Sequence, residues 1–171
     1  MNSKGTLIFF CGKMGAGKST LSLKISQELN AILLSEDDWL LVLYPEEIKN
    51  FDDYLKYSNR LKPLLKTHIR SILNSGVSVV MDFPANTKNQ RAWFKDILTE
   101  GIPHQLIYLE VDDQICLEQI AQRRKTNPER SALRSSASLS QFDTEEVFRH
   151  VTSFFQPPSA DEGFSIEVVK R

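Results

Sequence analysis

The chain has 171 residues, a formal net charge of −1 and a sequence pI of about 6.3. Its 41% hydrophobic and 25% charged residues are ordinary for a globular domain, and the near-neutral charge argues against a dedicated nucleic-acid binder. No apolar stretch approaches the roughly 20 residues of a membrane span, and the start MNSKG lacks the basic-then-apolar form of a secretory signal. We therefore expect one cytoplasmic domain over residues 1–171.

The first predicted element is a strand at residues 6–11, an unbroken apolar run that is typical of a strand covered on both faces of a parallel sheet. A glycine-rich segment follows it, and then a helix. This helix is predicted from an apolar stripe at helical spacing, made by Leu21, Leu23, Ile25 and Leu29.

The glycine-rich segment GKMGAGKST matches the phosphate-loop pattern G-x-x-x-x-G-K-[ST] between a strand and a helix. Glycines let backbone N–H groups curl around a phosphate, Lys18 would reach the β- and γ-phosphates, and the Ser19 hydroxyl would bind Mg²⁺. No clear guanine-specifying N-K-x-D motif is present, so ATP is the default nucleotide. The predicted nucleotide-binding residues are Gly12, Lys13, Met14, Gly15, Ala16, Gly17, Lys18, Ser19 and Thr20.

The remaining chain alternates predicted strands and helices with short links, which indicates a parallel, doubly wound α/β sheet. Strands are expected at residues 31–35, 77–83, 104–111 and 164–169. Residues 45–76 are expected to be largely helical in two pieces, with a bend at Pro63 and a stop at Gly76. Further helices are expected at 87–101, capped by Thr87, at 114–124, capped by Asp112 or Asp113, and at 143–155.

The second strand is followed by SEDDWL, in which Asp37 and Asp38 are adjacent. Ligands of open α/β sheets bind beyond the carboxyl ends of the strands, so this pair is expected in the crevice. If the strand continues through the pair, the two side chains point to opposite sides and only one faces the phosphates. That carboxylate would accept the proton of an attacking hydroxyl and help to hold Mg²⁺; alternatively, one of the two caps a helix starting near Trp39.

The third strand ends in VVMDFPANT, where Asp82 directly follows an apolar run. A carboxylate at this position supports Mg²⁺ directly or through water, or else caps a turn before Pro84. Asn86 and Arg91 follow it and are candidates for binding the acceptor or a phosphate, as are Asp38 and Trp39 on the acceptor side. For Arg91, a solvated position on a helix face is an equally good interpretation.

Residues 123–140, RRKTNPERSALRSSASLS, join two predicted helices and are rich in basic residues and serine. They are either an exposed linker or a lid that closes over ATP and brings an arginine to the transferring phosphoryl group. Their basic residues are Arg123, Arg124, Lys125, Arg130 and Arg134.

The cysteines and histidines indicate no metal site. Cys11 lies in a predicted core strand and Cys116 in a helical segment, so both are expected to be small buried hydrophobic residues. His68, His104 and His150 are scattered without the spacing of metal ligands.

Taken together, GKMGAGKST, LSEDDWL, VVMDFPANTKNQRAWF and RRKTNPER resemble a group of small phosphate-loop kinases. The group includes the kinase part of polynucleotide kinases, zeta-toxin-like kinases and chloramphenicol phosphotransferase-like proteins, often catalogued as predicted kinases or AAA-type ATP-binding proteins. The resemblance implies a three-layer P-loop fold with sheet order 2-3-1-4-5 and a small helical lid. It also implies Lys18 and Asp37 as catalytic residues, and Arg124 or Arg130 as the lid arginine at the phosphates.

One position departs from the polynucleotide-kinase pattern, since Leu40 stands where that group has arginine. Together with Trp39, this apolar residue favours a small-molecule acceptor over a nucleic acid, although much of WLLVLY would also suit an ordinary core. We therefore expect a Mg²⁺-dependent kinase that moves the γ-phosphoryl group of ATP to a hydroxyl of a small molecule. The alternatives are a kinase for 5′-hydroxyl nucleic-acid ends and an ATP-hydrolysing or ATP-sensing protein whose partner is another protein.

Overall fold

A parallel sheet of five strands organises the protein in the computed structural model, which describes residues 3–99, 101–126 and 142–171. The strands are β1 (Leu7–Cys11), β2 (Ile32–Ser35), β3 (Val79–Pro84), β4 (His104–Glu110) and β5 (Ile166–Lys170). They lie in the order β2-β3-β1-β4-β5, and every neighbouring pair is parallel. This order confirms the predicted topology and brings the carboxyl ends of all strands to one edge.

Helices cover both faces of the sheet. They are α1 (Lys18–Glu28), α2 (Glu36–Leu43), α3 (Phe51–Asn74), α4 (Lys88–Ile97), α5 (Asp113–Thr126) and α6 (Glu145–Thr152), with a short 3-10 helix at Ala160–Glu162. None of these helices combines the length and the apolar character that a membrane span requires.

The central strand β1 shows why the fold has three layers. All its residues are buried, and successive side chains alternate between two cores. Phe9 belongs to the core beneath α3 and α4, where its ring stacks on Phe94 at a centroid distance of 4.2 Å. Phe10 belongs to the opposite core, which Cys116 and Ile120 of α5 share.

Two helices differ from their predicted forms. Residues 45–50 lie outside any helix, and α3 begins at Phe51 because the Asn50 side chain accepts a hydrogen bond from the Asp53 amide at 2.9 Å. The helix is one element with Pro63 inside it, rather than two pieces. As predicted, a glycine follows the end of α3. Gly76 has a φ of 89°, a left-handed backbone angle that favours glycine.

The predicted apolar stripe of α1 is only partly correct. Leu21 and Ile25 pack against the core, but Leu23 and Leu29 are exposed. The buried residues of α1 are instead Ser22 and Ser26, whose hydroxyls donate to carbonyls of the preceding turn. Small side chains let this helix approach the sheet closely, and the internal hydrogen bonds satisfy the buried hydroxyls.

Candidate active site

The glycine loop connects β1 to α1, and two of its glycines adopt left-handed backbone angles. Gly15 has a φ of 80° and Gly17, the residue before α1, a φ of 94°. A Cβ atom on Gly15 would lie 2.5 Å from the carbonyl oxygen of Cys116. Glycine is therefore required at position 15 by the approach of α5 as well as by the backbone turn.

Lys18 lies over this loop. Its Nζ donates to the carbonyl oxygens of Gly12 at 2.5 Å and of Lys13 at 2.9 Å. Desolvation by the surrounding protein lowers the pKa of Lys18, while the Asp82 carboxylate acts in the opposite direction. The ammonium group of Lys18 therefore lies at the N-terminus of α1, which carries the positive end of the helix dipole. Both positive groups favour the binding of an anion there.

The other predicted loop residues lie at the start of α1 and beside α5. Ser19 and Thr20 lie in the exposed first turn of α1. Lys13 forms an ion pair with Asp113 of α5. The guanidinium of Arg171 lies beside Gly17, since a Cβ atom placed on Gly17 would be 3.6 Å from a guanidinium nitrogen of Arg171. The sequence did not indicate this proximity.

Asn86 supports the loop from the end of β3. Its Oδ1 accepts a hydrogen bond from the Gly12 amide at 2.9 Å, and Gln90 Oε1 accepts from the Asn86 amide at 2.8 Å. Gln90 and Thr87 together form the capping box that begins α4. The side-chain oxygen of Asn86 is therefore engaged by the loop, and the expected binding of an acceptor or a phosphate by Asn86 stays a prediction.

Acidic side chains gather at the carboxyl edge of the sheet beside this loop. Asp82 of β3 pairs in register with Ser35, the last residue of β2, and Asp37 lies in the first turn of α2. The Asp82 charge acts on the pKa values of both Lys18 and Asp37, raising each of them. The sequence predicted that Asp37 and Asp82 each follow a strand at the carboxyl edge, and the structure places both there; their roles stay predictions.

β2 does not continue extended through the Asp37–Asp38 pair, so the condition for opposite side-chain directions is not met. A helix begins at Glu36, and Ser35 caps it by accepting a hydrogen bond from the Asp38 amide at 3.4 Å. Neither aspartate caps a helix near Trp39. Consecutive helical residues differ by about 100° in direction, so the two carboxylates diverge without lying on opposite faces of a strand.

Asp37 is surrounded by other oxygens although its side chain keeps solvent contact. Desolvation is the largest cause that raises its pKa to about 6, and the Glu36 carboxylate is the next. The Tyr54 hydroxyl donates to Asp37 Oδ1 at 2.9 Å and opposes this rise. A carboxyl that ionises near neutral pH suits a general base.

Sequence reading missed three residues of α2 and α3 that adjoin Asp37. Glu36 is only 1% exposed; its Oε1 accepts a hydrogen bond from Ser58 Oγ, and its Oε2 lies 2.8 Å from the Tyr54 hydroxyl, whose single proton it shares with Asp37. Burial raises the pKa of Glu36. The sequence did contain a signal for these contacts. Glu36 and Leu40 are four residues apart, as are Tyr54 and Ser58, and residues at this spacing share one face of a helix.

The apolar residues after Asp38 separate into two groups. Leu40 is fully buried in the core, so the interpretation that it makes the acceptor side apolar is wrong. Trp39, Val42 and Leu43 remain exposed, with 37% of Trp39 accessible. Of these four residues, only Leu40 therefore belongs to the hydrophobic core.

Arg91 occupies neither predicted position, since it is fully buried and not solvated. Its guanidinium donates to both carboxylate oxygens of Glu162, at 2.7 and 2.9 Å, and to the carbonyl oxygens of Ala85 and Gln156. These contacts tie α4 to the segment before β5. The proposed acceptor or phosphate contact of Arg91 is therefore wrong, because its donors are engaged inside the protein.

Of the predicted lid, residues 127–140 lie outside the described part of the chain, and Arg130 and Arg134 lie among them. Residues 123–126 form the last turn of α5. Arg123 acts electrostatically on Lys18 and pairs with Asp143 at 4.0 Å. Arg124 lines an open cleft between α5 and α6, and a contact of Arg124 with the phosphates stays a prediction.

Both cysteines are free and buried, as predicted. Burial raises the pKa of Cys11 to about 12, so its thiol stays protonated. Within the described ranges, no three His, Cys, Asp or Glu side chains come together as a metal cage. Mg²⁺ does not need one, because it is commonly held by one or two carboxylates, substrate phosphates and water.

A parallel sheet of order 2-3-1-4-5 with a glycine loop between β1 and α1 defines a P-loop fold of the kinase type. A family model described as "AAA domain" matches residues 7–148, and the chain belongs to this family.

Three known proteins show the same relationship. UMP-CMP kinase 2 of Caenorhabditis elegans is 25% identical over 126 residues, which cover 68% of this chain and 66% of that protein, just under two thirds of its length. The crystal structure of a putative kinase from Chloroflexus aurantiacus has a TM-score of 0.72 at 19% identity and covers 98% and 89% of the two chains. The Mycobacterium tuberculosis APS kinase CysC, in complex with AMPPNP and APS, has a TM-score of 0.60 at 16% identity, with 98% and 89% covered. These likenesses confirm the resemblance to P-loop kinases and the fold.

Proposed function

We propose that the protein is a Mg²⁺-dependent kinase that transfers the γ-phosphoryl group of ATP to a hydroxyl of a small molecule, with residues 1–171 acting as one domain. The observation that carries the proposal is the carboxyl edge of the sheet, where Asp82 of β3 pairs in register with Ser35, Asp37 follows in the first turn of α2, and Lys18 lies over the glycine loop after β1. This edge brings together the proposed phosphate-binding loop and a separate carboxylate, Asp37, on the proposed acceptor side.

Each residue has a distinct part in this proposal. The loop amides and Lys18 bind the phosphates of ATP, and Ser19 with Asp82 would hold Mg²⁺, which supplies charge neutralisation between the phosphates. Asp37 accepts the proton of the acceptor hydroxyl as its oxygen attacks, and a metal contact of Asp37 stays a prediction. Arg123, or an arginine of residues 127–140, would stabilise the charge on the transferring group.

The charge of the acceptor side favours a hydroxyl over a phosphate acceptor. A nucleoside monophosphate would bring a second anionic group and would need cations around it. Among the described residues, the carboxyl edge carries four carboxyl groups, Glu36, Asp37, Asp38 and Asp82, with Lys62 as a cation that acts on Glu36, and the guanidinium of Arg91 is buried against Glu162. The similarity to UMP-CMP kinase 2 nevertheless makes a monophosphate acceptor the second candidate.

The test is ATP turnover with Mg²⁺ and a panel of acceptors. The panel contains sugars, nucleosides, aminoglycosides, 5′-hydroxyl oligonucleotides, UMP and CMP, and the readout is ADP together with a phosphorylated product. A small hydroxyl compound should increase turnover. Stimulation by UMP or CMP alone would support the second candidate, stimulation by oligonucleotides alone a nucleic-acid kinase, and no response to any acceptor a nucleotide-dependent switch.

A further inference from the structure

A continuous set of oxygen contacts links helix α3 to Asp37. The Tyr54 hydroxyl lies 2.9 Å from Asp37 Oδ1 and 2.8 Å from Glu36 Oε2, so its single proton is shared between the two carboxyl groups, and Ser58 donates to the other oxygen of Glu36. Tyr54 therefore touches the proposed base and a buried neighbour of that base at the same time. The proposed chemistry of Asp37 gives no role to Tyr54, Glu36 or Ser58.

Backbone and ring contacts fix the position of Tyr54. Tyr54 lies in the first turn of α3, directly after the Asn50 cap, and its backbone amide donates to the Asn50 carbonyl at 3.1 Å. Its ring stacks on Phe51 at a centroid distance of 6.0 Å and meets Phe142 edge-on at 6.5 Å. These contacts hold the ring, so the hydroxyl occupies a defined point beside α2.

Asp37 itself has little else to define its position. It keeps an exposed side chain in the first turn of a short helix, where a carboxylate can choose among several rotamers. Glu36, next to it, is buried and anchored through Ser58. The Tyr54 hydroxyl thus connects the exposed carboxylate to a group that cannot move.

We propose that Tyr54 is a positioning residue for phosphoryl transfer: its hydroxyl, anchored by Glu36 and Ser58, holds the Asp37 carboxylate in the orientation that faces the phosphate loop. The inference rests on the proposed function, because it assigns the base role to Asp37. Tyr54 touches neither nucleotide nor acceptor in this account and acts only through Asp37. Its loss should therefore lower the rate of transfer and leave nucleotide affinity unchanged.

The test replaces Tyr54 with phenylalanine, which keeps the ring contacts and removes only the hydroxyl. Tyr57→Phe is the matched control, since Tyr57 lies on the same helix and packs its ring on Tyr44 at 4.1 Å, outside the Asp37 contacts. The reaction is single-turnover release of phosphate from MgATP, with water as the acceptor and with any acceptor that the panel identifies. Tyr54→Phe should lower the rate roughly tenfold with an unchanged KM for ATP, and Tyr57→Phe should match the wild type.

The double variant Asp37→Asn/Tyr54→Phe separates positioning from an independent role. If Tyr54 acts only through Asp37, the double variant is no slower than Asp37→Asn alone, because the two effects are not additive. Independent, multiplying effects would overturn the positioning role, and so would a wild-type rate in Tyr54→Phe. If Asp37→Asn itself is fully active, the base assignment fails instead, which is a failure of the proposed function.

A crystal structure of Tyr54→Phe gives a readout that does not depend on activity. The Asp37 carboxylate should leave its position beside residue 54 or become disordered, while Glu36 stays in contact with Ser58. A carboxylate that keeps its orientation in the variant would overturn the inference, whatever the rates are.

Discussion

The Gly12 amide donates to Asn86 Oδ1 at 2.9 Å and so ties the first residue of the phosphate loop to the exit of β3. Asn86→Ala should weaken MgATP binding about fivefold, since the loop loses one net hydrogen bond that holds its shape. Isothermal titration with MgATP measures this. Asn89→Ala, on the exposed start of α4, is the control, and equal affinity in the two variants would show that Asn86 does not support the loop.

Lys18→Ala should preserve the fold and lower MgATP affinity or turnover by about tenfold or more. The ammonium group contacts the loop carbonyl oxygens, and it is the charge that the loop presents to the phosphates. Lys24→Ala, on the same helix with an exposed ion pair to Glu28, is the matched control. Unchanged turnover in Lys18→Ala would remove the phosphate-loop interpretation.

Asp37→Asn keeps size and polarity but removes the base, so transfer to an acceptor should fall roughly 10²-fold while nucleotide affinity changes little. Asp38→Asn should have a milder effect, because α2 turns its side chain to another direction. Single-turnover transfer and ATP titration are compared for the two variants. A reversed order of the two rates would assign the base to Asp38, and two active variants would leave Asp82 as the residue to test.

The raised pKa of Asp37, about 6, predicts a pH profile. A base must be ionised to accept a proton, so kcat/KM should rise as the pH increases through about 6 and then level off. The Asp37→Asn variant should lose this limb of the profile. A wild-type profile that stays flat between pH 5 and pH 7, the range of this test, would contradict the prediction.

Arg91→Leu should lower the free energy of unfolding by about 3–5 kcal/mol, because Glu162 loses its partner and stays largely enclosed. The control is Arg149→Ala, which breaks an exposed ion pair with Glu145 on α6 and should cost about 0.5 kcal/mol or less. Urea denaturation measures both. Similar losses in the two variants would show that burial does not strengthen the Arg91 contact.

The sequence alone identified the phosphate loop, because its spacing requires a particular backbone whatever surrounds it. It also located the β-strands, because continuous apolar runs are typical of strands covered on both faces of a sheet. The order of the strands came from the resemblance to P-loop kinases. The position of Asp82 followed from the same pattern: a carboxylate directly after a buried run must lie near the carboxyl edge.

Only the tertiary structure decided what the polar side chains at that edge contact. Whether Glu36, Asp37 and Leu40 lie on a strand or a helix sets the direction of each side chain, and the contact of Glu36 with Ser58 of α3 depends on how α2 packs against α3. Arg91 and Asn86 resembled ligand-binding residues in the sequence, yet their partners, Glu162 and Gly12, lie 71 and 74 residues away along the chain. Such pairings depend on how elements pack, because a side chain's hydrogen bonds are determined by what the fold brings beside it.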